Sequence, residues 1–205
     1  MRHLLRNNTQ MGVVKMEDTL KLAENEQERI YGFNPIIYND SVVLILGTLP
    51  GQKSIEAHEY YSDPTNRFWD MLFCACDAQP DITNYEAKTK FLRDYKIALW
   101  DVLESAIRSS SKDKDIKDAR ANDLPQRLAD YPNIKLLIFN SMDTYKYFRR
   151  FFKNTAIPYV CVSSPSGLNT KSREEKVQEW KAALSIVLPQ LQSEHKLMWI
   201  KPPHS

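Results

Sequence analysis

Three continuous apolar, β-branched runs constrain the fold of this chain more than any other feature: "SVVLILG" at residues 41–47, "IKLLIFN" at 134–140 and "IPYVCVS" at 157–163. Each has strand length and no polar alternation, the pattern of a strand buried on both faces. Around them lie the amphipathic stretches "NRFWDMLFCAC", "NYEAKTKFLRDY", "NDLPQRLADY", "SMDTYKYFRRFF" and "SREEKVQEWKAALSIVL". Asn66 and Asn122 stand at the starts of the first and third, the latter with Pro125 in its first turn. Ser172 opens the last with Glu175 three residues on, a capping box. Strands alternating with helices predict an α/β fold, a three-layer α/β/α sandwich with a central, mostly parallel sheet. No repeat or low-complexity linker divides it. The reading is a polar extension over residues 1–30, one α/β domain over 31–190 and a C-terminal tail over 191–205.

In such a sheet the site is expected at the carboxyl ends of the strands. The first run leads into "LILGTLPGQKS", which has the look of a phosphate-binding loop. The P-loop needs G-x-x-x-x-G-K-[ST] so that successive backbone N–H groups and the lysine converge on phosphates. Here Gln52 separates Gly51 from Lys53, and the spacing from Gly47 to Gly51 is one residue short. An NTP site is therefore not expected. What remains is a strand ending in a tight turn.

The composition, 42% apolar and 26% charged, is that of a globular chain with no apolar stretch of membrane-spanning length. The first residues lack the apolar core and cleavage site of a secretory signal, so a cytoplasmic or nuclear setting is expected rather than secretion. Cys74, Cys76 and Cys161 are too few for the usual four-ligand structural zinc site, so neither a metal nor another cofactor is expected. The net charge of +2 neither demands nor forbids a nucleic-acid partner. A positive field for DNA would have to be local.

The three strand ends carry unusual polar loops. They are "GTLPGQKSIEAHEYYSDPTNRFW", then Asn140 and Ser141, then "SSPSGLNTKS". Together they resemble the uracil-DNA glycosylase superfamily, over roughly residues 33–184. "YYSDPTNRFWDML" is similar to the aromatic, Pro-x-Asn-x-Phe-Trp segment of the thymine, mismatch-specific uracil and hypoxanthine enzymes. Phe139 and Asn140 resemble the base-recognition strand end, and "SSPSGLN" resembles the second motif, which enters the minor groove. "GFNPI", "IALWDVLESAIRSSSKDKDI" and "ANDL" bring the chain nearest to the hypoxanthine-DNA glycosylase branch, family 6. Leu49 stands where the thymine and mismatch-specific enzymes have an asparagine that orients water. The hypoxanthine branch also lacks it and is thought to rely on the later asparagine, here Asn66. The second motif, with Ser166, Gly167 and Leu168, is more like that of the mismatch-specific uracil enzyme.

Cleaving an N-glycosidic bond develops positive charge on the sugar and negative charge on the departing base, so the base must be stabilised as an anion. It must first leave the stack, which is cheapest for a damaged or mispaired nucleotide. The resemblance implies Asn66 as the catalytic residue, acting on water or on the base, although it is equally suited to capping its helix. It implies Tyr61 as the stacking face and Asn140 as the amide that reads the base edge. Backbone N–H groups around Thr48 and Leu49 complete the base-binding set. DNA contacts are expected at Gly51, Ser54, Ser164, Pro165, Ser166 and Gly167, with Leu168 as the wedge. Lys53, Arg67 and Lys171 are the candidate local cations.

The expectation is a monofunctional glycosylase, acting as a monomer on DNA that contains hypoxanthine or uracil. No lysine is placed for Schiff-base chemistry. Two alternatives stay open: a uracil-specific mismatch glycosylase, and a non-catalytic protein of the same fold that binds DNA lesions or nucleotides.

Overall fold

In a computed structural model of the chain, the residues described are 29–189, save 80, 82, 154 and 168. The extension up to residue 28, the tail from 191 onward and the expected wedge Leu168 lie outside them. Arg29 and Ile30, placed by sequence in the extension, belong to the first strand, β1 (Arg29–Tyr31).

The strands that follow are β2 (Val43–Gly47), β3 (Ile97–Asp101), β4 (Leu103–Arg108), β5 (Ile116–Ala121), β6 (Leu136–Phe139) and β7 (Tyr159–Cys161). The helices are α1 (Gln52–Ala57), α2 (Phe68–Ala75), α3 (Tyr85–Asp94), α4 (Leu124–Asp130), α5 (Met142–Phe151) and α6 (Arg173–Ser185). Four strands form a parallel sheet in the order β3-β2-β6-β7. The three apolar runs supply β2, β6 and β7. Every residue of β2, β3 and β6 is buried, which is why these segments read as unbroken apolar stretches rather than alternating ones.

One core layer lies on each face of that sheet. Val43 and Ile45 point into a layer with Phe68, Trp69, Leu72, Phe91 and Trp180 from α2, α3 and α6. Leu44 and Leu46 point into the other, with Leu103, Leu124, Phe139 and Phe148. The three-layer expectation is met.

Beside the parallel sheet stands a second, antiparallel one, β1-β4-β5, that the apolar runs do not foretell. Its strands mix polar and apolar positions, and the connection between β4 and β5 carries a single 3-10 turn at Asp113–Asp115.

Local capping follows the sequence with small shifts. Ser172 and Glu175 form the capping box of α6, and Ser141 caps α5 through the Thr144 N–H. Helix α4 starts at Leu124 behind Asp123, not at Asn122, because the Asp123 carboxylate takes the Gln126 N–H. Asn122 instead holds the β3 end, donating from Nδ2 to the Asp101 carbonyl at 2.9 Å.

Trp180 of α6 is fully buried edge-on to Phe68 of α2 and ties these two helices together. Truncating Trp180 to alanine is expected to cost about 3–5 kcal/mol, the usual range for emptying a large aromatic site in a core. Urea unfolding of the purified variant measures that loss.

Candidate active site

The parallel ladder ends in one row. Gly47 of β2 pairs with Asp101 of β3, and Leu46 pairs with Phe139 of β6, one residue before Asn140. Backbone bonds fix the loops that leave this edge: Asn140 donates to the Leu46 carbonyl, Val102 to Gly47 and Leu103 to Thr48. Above the row opens a cleft of about 1180 Å³. Of the sequence-derived site residues, Thr48, Leu49, Gly51, Ser54, Tyr61, Asn66, Asn140, Ser164, Pro165, Ser166 and Gly167 all line it.

Asn140 sits on the floor, 8% exposed. Its Nδ2 donates to the Tyr61 hydroxyl at 2.7 Å and its Oδ1 accepts from Thr144 Oγ1 at 2.7 Å. Thr144 Oγ1 also lies 2.8 Å from Thr48 Oγ1, which in turn donates to Asp113 Oδ2 at 2.6 Å. The bonds from Thr144 and to Tyr61 fix the orientation of the asparagine amide, and Thr48, bonded to Asp113, packs against Thr144. It leaves one amide N–H and one carbonyl lone pair of Asn140 for a ligand.

Tyr61 takes a left-handed backbone, φ 54°, a conformation that costs a residue with a Cβ of order 1 kcal/mol. It is held there by Asn140 and by stacking on Phe68, with ring centroids 3.8 Å apart and planes 14° off parallel. One ring face is thereby occupied by Phe68.

The sequence places Asn66 at the cap of its helix, but α2 begins at Phe68 behind Arg67, and Asn66 stands one residue earlier, where its Oδ1 accepts the Phe68 N–H at 2.9 Å in an Asx-type turn. Among the described residues its Nδ2 has no hydrogen-bond partner. One end of the amide is thus held by the turn, and the other belongs to a residue that lines the cleft.

The expected DNA contacts are less open than the sequence suggests. Ser54 is buried in α1, where its Oγ accepts the Ser62 N–H. Ser164 Oγ accepts the Ser166 N–H, and the Pro165 carbonyl accepts from Arg67 N at 3.0 Å, joining the second motif to the start of α2. Lys53 pairs with Asp63, and Lys171 pairs with Glu179. Leu49 is 7% exposed and packs in the core between the two sheets, so its side chain is a wall.

Three charged groups come from a segment that sequence reading did not assign to the site. Asp101 ends β3, Arg108 ends β4 and Asp113 lies in the turn after it. All are largely buried. Arg108 donates to the Pro50 carbonyl under the first loop. Burial pushes the Asp101 carboxyl up to about 8, with Asp113 adding to the shift and Arg108 opposing it. Burial also raises Asp113, against the hydrogen bond from Thr48. Tyr61 and Tyr60 are held protonated by burial, with Asp101 as the next cause. Among the described residues, no group of three or more His, Cys, Asp and Glu side chains is arranged to hold a metal ion. None of the helices described is long and apolar enough to cross a membrane.

The sequence that builds this cleft at the carboxyl edge of the parallel sheet matches the family model of the uracil DNA glycosylase superfamily over residues 35–187. The chain belongs to that superfamily and is a DNA glycosylase. It is 34% identical over 152 residues to the hypoxanthine DNA glycosylase of Methanosarcina barkeri (strain Fusaro / DSM 804), spanning 74% of this chain and 96% of the relative. It is 30% identical over 151 residues to the hypoxanthine DNA glycosylase of Methanosarcina acetivorans, spanning 74% and 95%. The fold is similar to that of a Methanosarcina acetivorans protein solved by NMR in solution, with a TM-score of 0.67 and 29% identity over 76% of this chain and 96% of that one.

The buried carboxyl makes a signed prediction. Asp101 has a folded-state pKa near 8 against about 4 unfolded, so between those values the folded chain holds a proton that the unfolded chain has released. Its contribution to stability is full below about pH 4, falls as pH rises and levels off above about 8. Melting temperatures of wild type and Asp101→Asn across that range are expected to diverge steadily in favour of the variant and then run parallel.

Proposed function

We propose that the protein is a monofunctional DNA glycosylase that hydrolyses the N-glycosidic bond of a flipped deaminated base, with hypoxanthine as the preferred base. The observation that carries this reading is the fixed Asn140 amide on the cleft floor, with a donor and an acceptor still available. A lactam edge, N–H beside C=O, is complementary to that pair. Hypoxanthine and uracil both present one. The names of the two curated relatives favour hypoxanthine.

In this reading the extruded base enters against the free face of Tyr61 and meets Asn140. Asn66 supplies N–H donors at the cleft wall. Because its Oδ1 is already engaged by Phe68, its strongest contribution is to hold an oxygen, either of the departing base or of the attacking water. Leu49 offers no polar atom to water, so water must be positioned by Asn66 and the surrounding backbone. With Lys53 and Lys171 each holding an acidic partner, flanking phosphates rest on the Gly51 and Ser164–Gly167 loops, and Leu168 is the wedge. Release by water alone leaves an abasic site.

Asn66→Ala and Asn140→Ala are each expected to lower single-turnover release of hypoxanthine by about a hundredfold or more, the usual size of removing one preorganised donor. The assay uses 5′-labelled duplex and single strands carrying hypoxanthine, uracil or mispaired thymine, followed by alkaline cleavage, with circular dichroism to check the fold. Full activity in both variants would remove these residues from the site. Binding to the lesion strands without any product would favour a non-catalytic lesion-binding protein.

A further inference from the structure

The cleft has two borders, built from opposite faces of the parallel sheet. The second motif forms one of them: it is joined to the start of α2 through the Pro165 carbonyl and Arg67 N, and to α6 through Ser163 N and Glu179. Both helices pack in the core layer on one face. The other border is the connection between β4 and β5, residues 109–115, with the sequence "SSSKDKD". Tyr147 of α5 donates from its hydroxyl to the Asp113 carbonyl there at 3.2 Å, and α5 packs through Phe148 in the opposite core layer.

Side-chain bonds fix this connection against the first loop. Thr48 Oγ1 donates to Asp113 Oδ2, Ser111 Oγ accepts the Gln52 N–H at 3.2 Å, and Arg108 donates to the Pro50 carbonyl. Within the connection, Ser110 accepts the Lys112 N–H and donates to the Asp115 carboxylate. Its shape is set before any ligand arrives, which lowers the cost of binding one.

Lys112 and Lys114 are exposed and line the cleft from this border. The other exposed charges that line it are committed: Lys53 to Asp63, Lys171 to Glu179, and Asp143 to Lys146. Lys112 and Lys114 have no acidic partner among the described residues. The acids beside them in sequence are turned elsewhere. Asp113 reaches inward to Thr48, where burial favours its neutral form, and Asp115 does not line the cleft. Beneath lies Arg108, 8% exposed, with Nε and Nη1 lacking hydrogen-bond partners among the described residues. On a chain whose net charge is only +2, this border concentrates positive charge where an anion would enter.

We propose that residues 109–115 form a DNA-binding rim, in which Lys112 and Lys114 hold backbone phosphates of the strand entering the cleft, across from the second motif. The inference rests on the glycosylase reading above and adds a surface to it. The contact is with the backbone, because a lysine ammonium is a point charge on a flexible stem that suits phosphate oxygens and carries no acceptor. Holding the strand from both borders of the cleft keeps its backbone in place while one nucleotide is turned out of the stack.

The test is the salt dependence of DNA binding by the full chain, followed by fluorescence anisotropy between about 50 and 200 mM salt. Two labelled duplexes of one sequence are used, one carrying a stable tetrahydrofuran abasic analogue and one undamaged, neither of which holds a deaminated base. Each phosphate neutralised contributes about 0.9 to the slope of log Kd against log salt. Lys112→Ala and Lys114→Ala should each lower the slope by about 1, and the double variant by about 2, on both duplexes alike. Lys112→Arg keeps the charge and should keep the slope. Lys135→Ala removes an exposed lysine just before β6, at the amino edge of the sheet, and should leave the slope at the wild-type value.

Wild-type slopes in both single variants would overturn the proposal. So would an equal loss in Lys135→Ala, which would report net charge alone, or a loss confined to the abasic duplex, which would place the lysines at the lesion and not along the backbone. Because binding is read without base release, the two levels of inference separate. The expected slope losses, with no product from any strand carrying hypoxanthine, uracil or mispaired thymine, would overturn the hydrolytic reading and leave the rim standing. Base release with unchanged slopes would overturn the rim alone.

Discussion

The central strand Val43–Gly47, hydrogen-bonded on both edges and buried on both faces, is the constraint on which everything else in this protein depends. Parallel neighbours align their carboxyl ends in one row, and each chain must leave that row through a loop. The row places Asp101, Gly47 and Asn140 side by side, although they are far apart in sequence. Gly47 is a glycine for a definable reason: a Cβ there would lie 2.4 Å from Asp101 Oδ1 and 2.9 Å from the Tyr61 hydroxyl, so only a residue without a side chain lets these groups close over the strand end.

Order within the cleft comes from hydrogen bonds that reach from buried threonines to the floor. Asn140 is turned by Thr144, Thr144 lies 2.8 Å from Thr48 Oγ1, and Thr48 donates to Asp113. This makes the second loop and the turn after β4 parts of one unit, even though they come from different sheets. The same burial that orders these groups shifts their protonation. Carboxyls beside the pocket lose solvation and are pushed toward the neutral form, while Arg108 holds the first loop by its Pro50 carbonyl. A neutral, donor-rich floor suits a reaction whose leaving group becomes negative.

Much of the fold was legible because burial on both faces leaves a direct trace in the sequence. The strands β2 and β6 contain no polar side chain, and Ser172 and Glu175 announce the last helix without ambiguity. β3 was less visible because "IALWD" is short and runs into mixed-polarity strands. β4 and β5 face solvent in part and carry Glu104, Lys117, Asp118 and Arg120, a composition that does not distinguish strand from loop. Asn122 and Asn66 show the limit of capping signals. Adjacent residues compete for the same free N–H groups, and only packing selects Asp123 or moves a helix start by two residues.

The sequence by itself determined the layered α/β architecture and brought Asn66, Asn140, Tyr61 and the serine-rich second motif forward as one candidate set. These features rest on local chemistry: apolar continuity, turn residues and amides at strand ends. Only the tertiary structure decided that Asp101 and Asp113 line the cleft while Arg108 supports its first loop, that Asn66 holds a turn ahead of its helix instead of capping it, and that Ser54 is already engaged by Ser62. An aspartate or a serine in a sequence carries no mark of its burial. Its solvation, charge and remaining hydrogen-bonding capacity are set by neighbours that the chain brings together only when the sheet closes.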